Sequence, residues 1–231
     1  MWGESMKKIL FLSLFVFLFV LTGCGKYSEK DIVKDLTKNI ENIKGYYLEA
    51  QMEIINNEDV YEYDVKVSYQ KDNLFRVSLK NKANSHEQIL LRNTDGVYVL
   101  TPSLNKSFKF QSEWPYNNSQ SYILQTILKD IKSDNDRKFE ETENYYVFTT
   151  KVNYPNNRDL TKQVVYFDKK LNIKEVQVLN SKNNTEIKVK ITKTDTKATY
   201  NTKYFTLNEN MQTAIIDEKT ESVLKIEDVI Y

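Results

Sequence analysis

The sequence has one histidine and one cysteine in 231 residues, and those two scarcities exclude most of the chemistry a chain of this size could carry. A zinc site draws on several His or Cys ligands. A Ser-His-Asp triad needs a histidine beside a nucleophile, and His86 stands in the polar stretch Asn81 to Glu87, which reads as a solvated loop. A lone cysteine leaves no intrachain disulfide, so stability must come from packing and strand ladders. Five glycines supply neither a phosphate-cradling loop nor a dinucleotide fingerprint. Adjacent carboxylates such as Glu140-Glu141 and Asp217-Glu218 point to opposite faces of a strand, so they read as solvated edges. A hydrolase working through two separated carboxylates finds no support here. Excess charge is also missing: 33 Lys and Arg stand against 32 Asp and Glu, which leaves no basic footprint for nucleic acid. The chain is read as non-enzymatic, with no metal and no cofactor.

Long apolar runs are scarce too. The run from Ile9 to Leu21, broken only by Ser13, follows Met6-Lys7-Lys8 and ends at Leu21-Thr22-Gly23-Cys24. A membrane-spanning helix needs about 20 apolar residues, so this run makes a poor permanent span. A basic start, a short apolar middle and a small-residue exit are the parts of a secretory signal peptide. Leu21, Thr22, Gly23 and Cys24 resemble the bacterial lipobox. Small side chains there admit the signal peptidase to the backbone, and the Cys24 thiolate takes a diacylglyceryl group. Two acyl chains hold a protein stably to a membrane where one holds it marginally. The expected organisation is a signal peptide over 1–23, a lipidated N-terminus and short tether over 24–27, and one domain over 28–231. Glu4 is out of place in a basic leader, which favours Met6 as the start. Losing residues 1–23 removes Lys7, Lys8 and Glu4 and leaves the chain formally neutral.

What the sequence has in plenty is 16 Tyr and 11 Phe, which with abundant Val, Ile and Thr favours strands. Ser28-Glu29-Lys30-Asp31 has the form of a helix N-cap with an acidic residue three positions on. Ile32, Val33, Leu36, Ile40 and Ile43 then mark one helical face, with Gly45 expected as the residue that closes it. From Tyr46 the period becomes two. Strands are expected over Tyr46 to Ile54, Tyr61 to Gln70, Leu74 to Lys80, Glu87 to Arg92, Val97 to Thr101 and Lys106 to Gln111. Asp95-Gly96 is a strong hairpin signal. A second helix, with Ser119 as its cap, is expected to bury Tyr122, Ile123, Leu124, Ile127, Leu128 and Ile131. Strands resume over Arg137 to Thr142, Tyr145 to Val152, Leu160 to Asp168, Leu171 to Leu179 and Thr185 to Thr194. Phe205, Leu207 and Met211 suggest a last short turn, and Ser222 to Tyr231 an edge strand or a loose tail. The fold class is therefore α+β, mainly β. It is a meander of ten or eleven strands, curled into an antiparallel half-barrel with helices on its concave face. That interior is either filled by side chains or hollow enough for lipid.

One block carries a more specific likeness. Arg92-Asn93-Thr94-Asp95-Gly96-Val97-Tyr98-Val99-Leu100-Thr101-Pro102-Ser103-Leu104-Asn105-Lys106-Ser107-Phe108-Lys109-Phe110-Gln111-Ser112-Glu113-Trp114-Pro115, with Asn118-Ser119-Gln120 and the helix after it, resembles the LolA-like lipoproteins of spore-forming Firmicutes, of the YdcC and GerS type. The resemblance implies a half-open barrel and a non-enzymatic partner of a cortex-specific N-acetylmuramoyl-L-alanine amidase. It also implies a place on the membrane facing the spore cortex. An alternative within the same fold is a carrier of acyl chains. Trp114-Pro115 has two readings, an interface anchor or a pin holding the strand-to-helix crossover in the core, and we take the core role. Phe108 and Phe110, alternating on one strand, are read as core. The expected partners are thus an amidase, the membrane through lipid on Cys24, and a second copy paired through edge strands.

Overall fold

The computed structural model describes residues 27–212. The expected signal peptide, the expected lipobox Leu21 to Cys24, the pair Asp217-Glu218 and the expected edge strand Ser222 to Tyr231 all lie outside the described residues. The chain divides into two compact units, Met1–Ile32 and Val33–Tyr231.

In the first unit the start of helix α1 (Glu29–Glu41) is capped as its residues dictate. The Asp31 amide donates to Ser28 Oγ at 3.3 Å, and the Ser28 amide donates to Asp31 Oδ2 at 3.3 Å. This reciprocal arrangement satisfies two donors that a helix terminus leaves without partners.

The second unit is built on one antiparallel sheet. Its strands are β1 (Gly45–Asn56), β2 (Asp59–Gln70), β3 (Leu74–Asn81), β4 (Glu87–Asn93), β5 (Gly96–Thr101), β6 (Lys106–Phe110), β7 (Lys138–Glu141), β8 (Tyr145–Lys151), β9 (Leu160–Asp168), β10 (Ile173–Asn180) and β11 (Thr185–Asp195). Helix α2 (Leu124–Ser133) falls between β6 and β7, and the short α3 (Leu207–Gln212) follows β11. Every strand expected from the period-two pattern up to Thr194 is present. The strand order is β6-β5-β4-β3-β2-β1-β11-β10-β9-β8-β7. A plain meander is therefore corrected in one respect: β1 pairs with β11, with Met52 opposite Val189 and Ile54 opposite Ile187. The first and last strands become the centre, and among the described residues the sheet is open with β6 and β7 as its two edges.

Residues that pair across strands share a face. The row Leu48, Val67 and Val77 and the row Tyr46, Tyr69 and Phe75 lie on the face that carries the helices. Tyr46 Oη donates to Gln125 Oε1 of α2 at 3.2 Å, and Gln163 Nε2 of β9 donates to Asp130 Oδ2 of α2 at 3.0 Å. Leu124, Ile127, Leu128 and Ile131 are buried along α2, as are Leu36 and Ile40 along α1. Fully burying one such side chain contributes roughly 1.5–3 kcal/mol. An exposed ion pair between Lys132 and Glu41, 2.7 Å apart, links the two helices.

Three local expectations are corrected. Gly45 does not close α1, which ends at Glu41 with Asn42 Nδ2 donating to Lys38 O at 2.8 Å. It opens β1 instead, where a Cβ would collide with the carbonyl of Ala198. Ser119 does not cap α2, which starts five residues later with Ile123 at the cap position and no side-chain cap. Ser119 is buried and tied to the far loop: its Oγ accepts from the Asn153 amide at 2.9 Å, and its own amide donates to Asn153 O at 2.9 Å. The segment after β11 does more than add a turn. Phe205 packs into a cluster with Leu74, Ile89, Leu91, Tyr98 and Leu100, flanked by Tyr200, Tyr204, Leu207 and Met211. These sheet residues alternate with the helix-bearing rows, so this cluster is a second core on the opposite face of β3, β4 and β5.

Candidate functional site

Two rows of the helix-bearing face run from the core to the β6 edge. One is Tyr46, Tyr69, Phe75, Arg92, Val97 and Phe110; the other is Leu48, Val67, Val77, Leu90, Val99 and Phe108. In the second row Leu48, Val67 and Val77 are fully buried, Leu90 and Val99 are half-buried, and Phe108 is 55% exposed. Phe110 ends the first row at 48% exposed. Both phenylalanines are corrected from core to surface. Their alternation is that of a core strand, but among the described residues β6 has a neighbour on one side alone, and all five of its residues are exposed.

Trp114 and Pro115 follow β6 in the chain. Trp114 is 6% exposed, and its ring meets Phe75 edge-to-face at 6.0 Å. Arg92, on β4, donates to the Trp114 carbonyl and stands over the Tyr116 ring at 5.8 Å. Tyr116 is held in turn: its carbonyl accepts from Lys129 Nζ at 2.7 Å, and its hydroxyl donates to Asn73 Oδ1 at 2.9 Å. The peptide bond between Trp114 and Pro115 is cis. The loop thus lies on the face through its aromatic side chains and is fixed by charge-assisted hydrogen bonds from both a strand and α2.

Between this loop, the loop at Tyr154 to Asn157 and the sheet lies a cleft of about 210 Å³, floored by Met52, Ile54, Leu79, Leu90, Val99 and Ile187. Ligand pockets run from about 300 to 1,000 Å³, so it is small for an acyl chain.

Behind the cleft, Asp130 is the one carboxylate among the described residues that burial shifts strongly. Desolvation pushes its pKa up to about 6, against hydrogen bonds from Ser119 and Gln163 that favour the charged form. Asp134 is also buried, but its oxygens accept from the Lys151 amide at 2.8 Å and the Asp136 amide at 3.0 Å. Neither acid is among the residues that line the cleft. His86 lies in the turn between β3 and β4, where the Asn81 amide donates to its carbonyl at 2.8 Å.

The chemistry of the edge is aromatic and basic. All five residues of β6 are exposed. Lys106 shares a face with Phe108 and Phe110; Lys109 takes the other, with its Nζ 5.6 Å from the Tyr98 ring centre. Sequence reasoning missed this edge because nothing in five residues of alternating pattern tells an end strand from an interior one. The lysines, two of five positions, are the only local signal.

Comparison with known proteins agrees with this fold. A family model described as sporulation protein YdcC-like matches residues 6–205. Sporulation protein YdcC of Bacillus subtilis (strain 168) is 34% identical over 215 residues, 93% of this chain and 64% of that protein. The chain therefore spans less than two thirds of the length of that relative. Among solved structures, an uncharacterised conserved protein from Thermus thermophilus aligns with a TM-score of 0.51 at 11% identity, over 76% of this chain and 91% of the other, which is a likeness of fold. A chain in the complex of the CwlD amidase with the GerS lipoprotein from Clostridioides difficile aligns with a TM-score of 0.30 at 16% identity, over 76% of this chain and 98% of the other.

Proposed function

The chain belongs to the sporulation protein YdcC-like family, and from that premise we propose that it is a non-enzymatic lipoprotein that holds a docking domain at the membrane facing the spore cortex. It is exported by the signal peptide over 1–23 and anchored through Cys24. There it binds and supports a cortex-specific N-acetylmuramoyl-L-alanine amidase. The observation that carries the docking reading is the β6 edge, unpaired on its outer side among the described residues, with Phe108 and Phe110 exposed. Exposed aromatics on a sheet edge cost a soluble protein aggregation risk and serve recognition when a partner covers them. The block Arg92 to Pro115, on which the likeness to amidase-supporting lipoproteins rests, contains β5, β6 and the Trp114 loop. An acyl-chain carrier would call for a larger continuous hollow than the cleft of about 210 Å³.

The test is co-purification from sporulating cells. The tagged chain is expected to retain a cell-wall amidase, and deletion of its gene to leave the cortex peptidoglycan without the amidase's modification. A strain lacking the protein that still modifies its cortex normally, together with no amidase retained, would sink the reading.

A further inference from the structure

We propose that β6 is a strand-addition site that takes an extended, acidic and apolar segment of a partner protein as a twelfth strand of the sheet. The inference deepens the docking reading above and rests on it, but not on the partner being an amidase. Among the described residues β6 pairs with β5 alone. Its outer backbone groups therefore form a ladder template of five residues, about 17 Å long. Main-chain hydrogen bonds supply affinity in strand addition, and alternate side chains supply selectivity.

Those side chains state the occupant's chemistry. Phe108 and Phe110 lie on the helix-bearing face and call for apolar residues directly opposite, where cross-strand aromatic and β-branched pairs are stabilising. Lys106 on that face and Lys109 on the other call for Asp or Glu. No carboxylate lies between Pro102 and Gln111 to satisfy them within the strand. A second copy's β6 is disfavoured by the same lysines, since two basic strands laid together bring like charges opposite or diagonal to one another. The other edge of a second copy, β7, does carry Glu140 and Glu141. It has four residues against five, and Glu141 is already engaged by Lys169 at 3.0 Å. Lysines on an edge ordinarily guard it against pairing. Here they stand beside two exposed phenylalanines, so they filter the partner by charge without removing the reason to pair.

The test pans a random ten-residue peptide library on the full chain and measures the selected peptides by fluorescence anisotropy. The expected peptides alternate apolar residues with Asp or Glu. The double substitution Phe108→Asp with Phe110→Asp is expected to weaken them at least tenfold while leaving the far-UV spectrum and Tm unchanged. Lys106→Glu with Lys109→Glu should turn the selection toward Lys- and Arg-bearing peptides, a reversal that a purely structural role for β6 does not produce. Peptides indifferent to both pairs of substitutions, or no selection at all, would overturn the proposal. So would self-association that rises with concentration and disappears in the phenylalanine variant, since that assigns the edge to a second copy. Loss of amidase co-purification alone bears on the function proposed above and leaves this result standing.

Discussion

Asp130 sits on the sheet-facing side of α2 with Gln163 Nε2 at 3.0 Å, and burial raises its pKa to about 6 from an ordinary 3.8. Between those two values the folded chain holds a proton that the unfolded chain releases. Stability from this group is thus greatest below about pH 4, falls as pH rises toward 6, and stays low above it. The loss is on the order of 3 kcal/mol, one pKa unit being worth about 1.4 kcal/mol. Denaturant unfolding from pH 4 to pH 7 is expected to show this slope in the parent chain and not in Asp130→Asn. Trp114 lies at the same scale. Its ring fills the space against Phe75, so Trp114→Ala is expected to cost about 3–5 kcal/mol, read as a fall in denaturation midpoint. Gly45→Ala places a Cβ against the Ala198 carbonyl and should cost about 1–3 kcal/mol. None of these three costs follows from residue type alone. Asp130 is one of several carboxylates spread over the three helices, Trp114 one of two tryptophans, and Gly45 reads as an ordinary helix terminator.

At the scale of elements, β3 and β6 make the contrast. Phe75 and Val77 on β3 are fully buried, while Phe108 and Phe110 on β6, in the same two cross-strand rows, are half exposed. Phe108→Asp is therefore expected to change the unfolding free energy by no more than about 0.5 kcal/mol, as surface substitutions do, where Val77→Asp should prevent folding. Equal losses at the two positions would contradict the placement of β6 at an edge. The start of α2 follows the same logic. Ser119 has the residue type of an N-cap, but the Asn153 backbone competes for it and wins with two hydrogen bonds. Helix α2 then begins at Leu124, with Thr126 Oγ1 donating to Ile123 O at 2.9 Å. Capping residues are promiscuous hydrogen-bonding groups, and which backbone they serve is decided by what packs beside them.

At the scale of the whole molecule, the proposed anchor and the docking edge are separate parts of one arrangement. If Cys24 carries the lipid, Cys24→Ala should move the chain from the membrane fraction to the soluble fraction and abolish labelling by a lipid precursor. Binding at β6 should remain, since that strand is built by pairing with its neighbour β5, far along the chain from Cys24. Among the described residues no helix is long and apolar enough to cross a membrane. The two cores matter at this scale as well. The helices cover one face, and Tyr200 to Met211 cover β3 to β5 on the other, which holds the strands leading to the edge from both sides.

The sequence by itself determined the positions of eleven strands, the capped start of α1 and the existence of α2, because alternation, capping and turn chemistry act over a few residues and stay readable in any surroundings. The proposed lipobox would belong to the same class of signal, a local pattern read by other enzymes before the chain folds. The tertiary structure alone decided which strands end the sheet, that β1 joins β11, and that the cover stops before Phe108 and Phe110. The joining of β1 to β11 depends on pairings between residues more than a hundred positions apart, and where the cover stops is settled by the competition of whole surfaces for burial rather than by any short pattern.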